Sequence, residues 1–176
     1  MTSTPRRRLA GDILIDECTL QARVEALASA IAADTPEGAR LSVLALLDGA
    51  FMFCADLVRR LPMPVHVALV PVVSIARGGK IADLRLPDGF PVEGADLLVV
   101  EDVLDTGETL AALRAHLARL SPARVRLAVL LEKPGPPDRG VAVDYLGFRV
   151  PDRWVVGYGL DYEGLYRNLP YVSYVE

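Results

Sequence analysis

The chain has 176 residues, long enough to bury a core as one domain spanning 1–176, and 52% of them are apolar. A formal net charge of −4 gives no support to a nucleic-acid grip spread over the whole surface, although a local basic patch is compatible with it. Cys18 and Cys54, the only 2 cysteines, are too few for a disulfide scaffold and match no metal-ligand spacing, so they read as reduced thiols of a cytoplasmic protein.

The opening MTSTPRRRLAGDILIDE carries Arg6, Arg7 and Arg8 with no apolar h-region behind them. No secretion signal is expected, and the arginines read as a solvated arm, with a phosphate or partner contact as the alternative. From Thr19 to about Ala33, Val24, Leu27 and Ile31 recur at helical spacing. LSVLALL (41–47) suits a strand covered on both faces. Gly49 marks a tight turn, and FMFCADLVRRL (51–61) reads as a helix stopping before Pro62. Asp48 and Asp56 interrupt this most apolar part of the chain, so no membrane span is expected.

VHVALVPVV (65–73) is a second strand candidate, and ARGGKIADLRLPDGFPVEG (76–94) reads as loop that can include a short hairpin. A strand over 97–101, a helix over 107–120 and a strand over 125–131 then alternate. After the turn KPGPPDRG come strand-like pieces around Val141 to Phe148 and Trp154 to Tyr158. There is no internal repeat. The alternation predicts an α/β fold with a mainly parallel twisted sheet flanked by helices. Ligands of such folds sit beyond the carboxyl ends of the strands, which gathers Asp48–Gly49, the 101–109 segment and Glu132–Lys133 on one rim.

Glu101, Asp102, Asp105 and Glu108 crowd that rim within 8 residues. Thr106-Gly107-Glu108-Thr109 falls where the helix begins, so its backbone N–H groups and the helix dipole make an anion site suited to a phosphate monoester. Gly107 lets the backbone approach closely, and the Thr106 and Thr109 hydroxyls add donors. Glu108 also suits the first turn of any helix, so its role can be purely structural. Carboxylates at Glu101 and Asp102 can accept from sugar hydroxyls or hold Mg²⁺. A ribose 5-phosphate fits both halves. An ordinary capped helix behind a solvated acidic strand end is the bland alternative. A phosphatase of the Asp-x-Asp kind is disfavoured, because two residues separate Asp102 from Asp105.

The stretch VVEDVLDTGETL (99–110) resembles, at every position, the 5-phosphoribosyl-1-pyrophosphate (PRPP) signature of type I phosphoribosyltransferases. LALLDGAFMFCADLVRRL, LLEKP and DYLGFRVPDRWVVGYGLDYEGLYRNLPYV extend the likeness to the hypoxanthine-guanine phosphoribosyltransferases, from about Asp12 to Val172. The resemblance implies the type I fold with a small hood formed by the terminal segments, a homo-oligomer (dimer or tetramer), and Mg²⁺ as cofactor. It implies transfer of the phosphoribosyl group from PRPP to a 6-oxopurine base in purine salvage. Glu101 and Asp102 would take the ribose hydroxyls directly or through Mg²⁺, Asp105 would act near purine N7, and residues Thr106 to Thr109 would cradle the 5′-phosphate. Lys133 would donate to purine O6, Trp154 would stack on the base, and the Val155 backbone would read the base edge. Asp161 would bind a second Mg²⁺, and Arg167 would reach the pyrophosphate. Read without the resemblance, Lys133 is equally a solvated turn lysine, and Trp154 is more naturally a core residue.

Two departures stand out. Asp48 occupies a position where the family commonly carries Lys or Arg beside the pyrophosphate. Its loop would then work through backbone amides, or Asp48 would touch Mg²⁺, or PRPP would bind weakly; the first reading is preferred. The family's mobile lid begins Ser-Tyr, whereas this chain has Ser74 followed by Ile75 and a short basic ARGGK, whose Arg77 and Lys80 are either solvated or pyrophosphate contacts. A non-catalytic nucleotide sensor or RNA-binding regulator on the same fold is the rival reading, and a transferase for xanthine a third. Asp105 argues for catalysis. His66 and His116 receive no role.

Overall fold

The computed structural model describes the chain except residues 1–8, 72, 77–79, 84–85 and 137–138, with backbone alone over 9–11, 73–76 and 80–83. Arg6, Arg7, Arg8 and Arg77 lie outside the described residues. In chain order the elements are β1 (Leu9–Ile15), α1 (Glu17–Ala33), β2 (Leu41–Leu47), α2 (Phe51–Val58), β3 (Val65–Pro71), β4 (Val73–Ala76), β5 (Lys80–Asp83), β6 (Asp96–Leu104), α3 (Glu108–Ala118), β7 (Arg124–Glu132), β8 (Tyr145–Arg149), β9 (Trp154–Val156) and β10 (Val172–Val175).

The main sheet has the order β3-β2-β6-β7-β8, with every described pairing parallel. Its central strands β2, β6 and β7 are apolar on both faces because helices cover both. Leu41, Val43 and Ala45 of β2 and Leu98 and Val100 of β6 pack with α1 and α2 through Leu20, Val24, Leu27, Ile31, Phe53 and Leu57. Leu44, Leu46, Leu97 and Val99 face the other way, onto Leu110, Leu113 and Leu117 of α3. This alternation is the physical content of the uninterrupted apolar runs in the sequence. Asp16 starts α1 by accepting a hydrogen bond from the Thr19 N–H at 2.8 Å.

A second sheet, β1-β10-β9, is antiparallel and joins the two ends of the chain into the hood. Neither β1 nor β10 is among the strands expected from the sequence. The short hairpin is present as β4 paired with β5. Several boundaries differ from expectation: the strand expected over 65–73 ends at Pro71, Val73 opens the hairpin, and β9 stops at Val156. Helix α2 ends at Val58, with turns carrying the chain to Leu61. The piece expected from Val141 begins only at Tyr145. Strand β6 continues past Glu101 to Leu104 because β7 keeps pairing with it through Val103↔Leu131 and Leu104↔Glu132.

At the amino-terminal pole of the sheet, away from the acidic turn, Asp96 is buried between two arginines. Arg126 meets it with Nε at 3.0 Å and Nη2 at 2.6 Å, and Arg124 adds a 2.6 Å contact. Arg126 also donates to the Tyr145 hydroxyl at 2.6 Å and to Thr35 Oγ1 at 2.9 Å, tying the end of α1 to the strands. Every polar atom this cluster buries needs a partner, so its members depend on one another.

Candidate active site

The carboxyl ends of β2, β6 and β7 open into a cavity of about 370 Å³ whose opposite wall is the hood. Asp48 and Gly49 enter after β2, Asp102 and Asp105 from β6 and its exit, and Lys133 after β7. The hood supplies Trp154, Val155, Asp161 and Arg167. A neighbouring recess of about 130 Å³ is lined by Glu101, Thr106, Gly107 and Thr109. Val103 and Asp105 border both spaces. The pleat explains this partition: extending β6 through Leu104 sends the adjacent carboxylates Glu101 and Asp102 to different cavities.

Gly107 begins α3 in the left-handed region, with φ 85° and ψ −8°. A β-carbon there would stand 2.8 Å from Arg139 Cβ, so conformation and space both require glycine. No side chain caps the helix firmly; the Glu108 N–H lies 3.5 Å from Thr106 Oγ1, the long limit of a hydrogen bond. The first-turn amides are thus available to an anion. The Glu108 side chain is exposed and lines neither space, which leaves only its N–H placed to meet an anion there.

Glu101 is partly buried, and burial together with the neighbouring Asp102 carboxylate raises its pKa well above the usual range. Its carboxylate accepts from the Asp102 N–H at 3.2 Å, and Asp102 accepts from the Val103 N–H at 2.8 Å. Gly49 lies against Asp102 so closely that a β-carbon at Gly49 would fall on the Asp102 carboxylate. Asp48 is 76% exposed in its side chain and stands 3.7 Å from Arg167 Nη2, a loose pair.

Lys133 is not a solvated turn lysine. Its side chain is 14% exposed, and Nζ is 3.9 Å from Asp152. Trp154, by contrast, is 54% exposed and outside the core, held by an Nε1–H bond to the Asp161 carbonyl at 2.9 Å and edge-on to Tyr162. Val155 lies on β9, the edge strand of the hood sheet, so part of its backbone edge is left unpaired by β10. Asp161 pairs with Arg167 at 2.9 Å and accepts from the Gly164 N–H at 2.8 Å. Glu132, expected on the same rim, lines a larger recess of about 620 Å³ behind Lys133 and is taken up by Arg139 at 3.1 Å and Arg149 at 2.9 Å.

Reading the sequence missed Arg139. Its guanidinium bonds the Lys133 carbonyl and Glu132, while its backbone and Cβ press on Gly107. It therefore joins the lysine side of the cavity to the anion cradle. Its place in a proline-rich turn left no periodic signal by which to find it.

Hard oxygen donors suit Mg²⁺, which is typically held by one or two carboxylates, several waters and a substrate phosphate. Asp102 and Asp161 on opposite walls fit that mode. Among the described residues no group of three or more His, Cys, Asp or Glu could hold a metal unaided, so the substrate would have to complete the site.

The chain is similar to known proteins over most of its length. The chain matches the phosphoribosyl transferase domain model over residues 16–163. It is 38% identical over 169 residues to the hypoxanthine phosphoribosyltransferase of Haemophilus influenzae, covering 93% of this chain and 94% of that protein. It is 35% identical over 170 residues to the hypoxanthine-guanine phosphoribosyltransferase of Mycobacterium bovis, covering 92% of this chain and 84% of that protein. The crystal structure of a hypoxanthine-guanine phosphoribosyltransferase from Bacillus anthracis matches with a TM-score of 0.84 at 35% identity, covering 96% of this chain and 98% of that one. The chain belongs to the phosphoribosyltransferase family, and its parallel sheet with an antiparallel hood is the type I form of that fold.

Proposed function

We propose that the protein salvages purines, transferring the 5-phosphoribosyl group of PRPP to a 6-oxopurine, hypoxanthine and also guanine, with release of pyrophosphate. The observation that carries this reading is Asp105, which borders both the anion cradle at the head of α3 and the hooded cavity that holds Lys133 and Trp154. A phosphorylated ribose bound in the cradle has its C1′ end at that carboxylate.

The amides of residues Thr106 to Thr109 hold the 5′-phosphate, and Glu101 and Asp102 accept the ribose hydroxyls. Trp154 stacks on the base, Lys133 donates to O6, and the Val155 backbone reads the base edge. Purine N9 forms its bond to C1′ as the C1′–O bond to pyrophosphate breaks, with inversion. Asp105 takes the N7 proton or steadies the positive charge on the ring. Asp48 and Gly49 present backbone amides to the pyrophosphate, and Arg167 moves from its pair with Asp161 to the leaving group. Glu101 and Asp102 would hold one Mg²⁺ and Asp161 a second, and the bound ions would supply charge neutralisation for the departing pyrophosphate.

The exposed Val67 and Leu69 on the edge strand β3 support a homo-oligomer, measurable by light scattering. Among the described residues no helix is long and apolar enough to cross a membrane. The functional reading is tested by pyrophosphate release from PRPP and Mg²⁺ with hypoxanthine, guanine, xanthine and adenine in parallel. Turnover with hypoxanthine is expected. Silence with all four bases while PRPP still binds by calorimetry would replace the enzyme with a nucleotide sensor.

A further inference from the structure

Tyr158 stands between two glycines in the hood turn, itself at φ 50°, with Gly157 at 95° and Gly159 at 101°. Three consecutive positive-φ residues bend the chain sharply, and one of them is a bulky aromatic for which that conformation is costly. The ring is 5% exposed, and its hydroxyl donates to Asp56 Oδ2 at 2.6 Å. Asp56 belongs to α2, the helix that follows the Asp48–Gly49 loop directly. Its carboxylate also accepts from Gln21 at 2.9 Å and from Arg59 at 2.5 Å, so it is held firmly in place. Burial, and then the Asp56 carboxylate, raise the tyrosine pKa, so the hydroxyl stays a donor throughout the working pH range.

The next residue touches the loop. A β-carbon at Gly159 would fall on the Gly49 carbonyl oxygen, so the hood backbone rests directly on the pyrophosphate side of the cavity. Arg167 donates to the Gly159 carbonyl at 2.7 Å, and the Gly159 N–H donates to the Arg167 carbonyl at 3.0 Å. The position of Arg167, and of its partner Asp161, is therefore set by where Gly159 sits.

We propose that the Tyr158 hydroxyl is a positioning group that seats the hood turn on the Asp48–Gly49 loop through Asp56, and so sets affinity at the pyrophosphate end of the site rather than at the base. The proposal rests on the functional reading above. A tyrosine that only filled the core would tolerate loss of its hydroxyl, since phenylalanine keeps the ring.

The test compares wild type, Tyr158→Phe, Asp56→Asn and Asp56→Leu, measuring PRPP and hypoxanthine KM, pyrophosphate binding by calorimetry in magnesium buffer, and amide exchange over residues 157–161. Tyr158→Phe and Asp56→Leu are expected to weaken pyrophosphate binding and raise the PRPP KM about fivefold, the size of one lost buried hydrogen bond, with hypoxanthine KM unchanged. Asp56→Asn keeps an acceptor and stays within about twofold of wild type. Exchange at Gly159 rises in Tyr158→Phe. The proposal is overturned by a Tyr158→Phe protein with wild-type pyrophosphate affinity and exchange, or by one in which PRPP and hypoxanthine constants worsen equally. If wild type neither turns over nor binds pyrophosphate, the functional reading falls. The exchange comparison alone then decides whether Tyr158 seats the turn.

Discussion

Gly49 and Asp102 are 53 positions apart by their numbering, yet the space a side chain would need at Gly49 is filled by the Asp102 carboxylate. The Asp48–Gly49 loop and the acidic strand end are packed against each other through that one missing β-carbon. Gly49→Ala must displace one or the other. Because a misplacement of about 1 Å can cost about a hundredfold in rate, kcat/KM for PRPP is expected to fall by about that factor. Steady-state kinetics beside a melting curve check this, since the change is local and the fold should survive.

Asp105 borders the cradle and the base cavity alike. Asp105→Asn keeps its size and removes its capacity as a base. Turnover is expected to drop by about 10² to 10⁴, the usual reach of general acid–base catalysis, with PRPP affinity nearly intact. A variant with wild-type kcat would remove Asp105 as the proton acceptor.

Asp48 sits exposed, 3.7 Å from Arg167, where a bound pyrophosphate would meet an unfavourable charge. At about 4 Å in water each unit-charge pair is worth about 1 kcal/mol. Asp48→Lys is therefore expected to tighten pyrophosphate binding about fivefold or more, less so at high salt. Titration calorimetry at two ionic strengths measures it. A weaker complex would instead identify Asp48 as part of the metal site.

Trp154 is more than half exposed and lines the cavity, with its indole N–H already used on the Asp161 carbonyl. Trp154→Ala is expected to raise hypoxanthine KM about tenfold, a loss of about 1 to 1.5 kcal/mol of aromatic contact, and to leave PRPP binding unchanged. Equal effects on both substrates would mean the indole only braces the hood.

The Asp96–Arg126 pair is buried on both sides, with side-chain exposures of 4% and 6%. Asp96→Asn leaves two arginines without their shared counter-charge. The loss is expected at about 3 to 5 kcal/mol, a large share of a typical domain stability of about 5 to 15 kcal/mol. Urea unfolding followed by circular dichroism reports it directly.

Much of this protein was legible in its order of residues. The uninterrupted apolar runs of β2, β6 and β7 announced strands covered on both faces, because helix-covered parallel strands have no polar side to display. The acidic turn and its glycine announced a helix start with uncapped amides, since that geometry depends on a handful of adjacent residues whose backbone conformation is local. What the chain alone could not show were relationships across long separations. Tyr158 and Asp56 are 102 residues apart and Asp96 and Arg126 are 30 apart, and no pattern along the chain marks either pair. The two terminal strands escaped notice because β1 pairs only with β10, at the far end of the chain, a contact no local pattern marks. Without the family resemblance Trp154 would read as core, because aromatic residues usually are, yet the edge strand of the hood leaves it lining the cavity. Glu101 and Asp102 were adjacent in the sequence and read as a pair; pairing with β7 carried β6 past them, and the pleat of the sheet then assigned them to different cavities. Local chemistry determined which groups the site would contain. Only strand pairing and close packing decided which of them would meet.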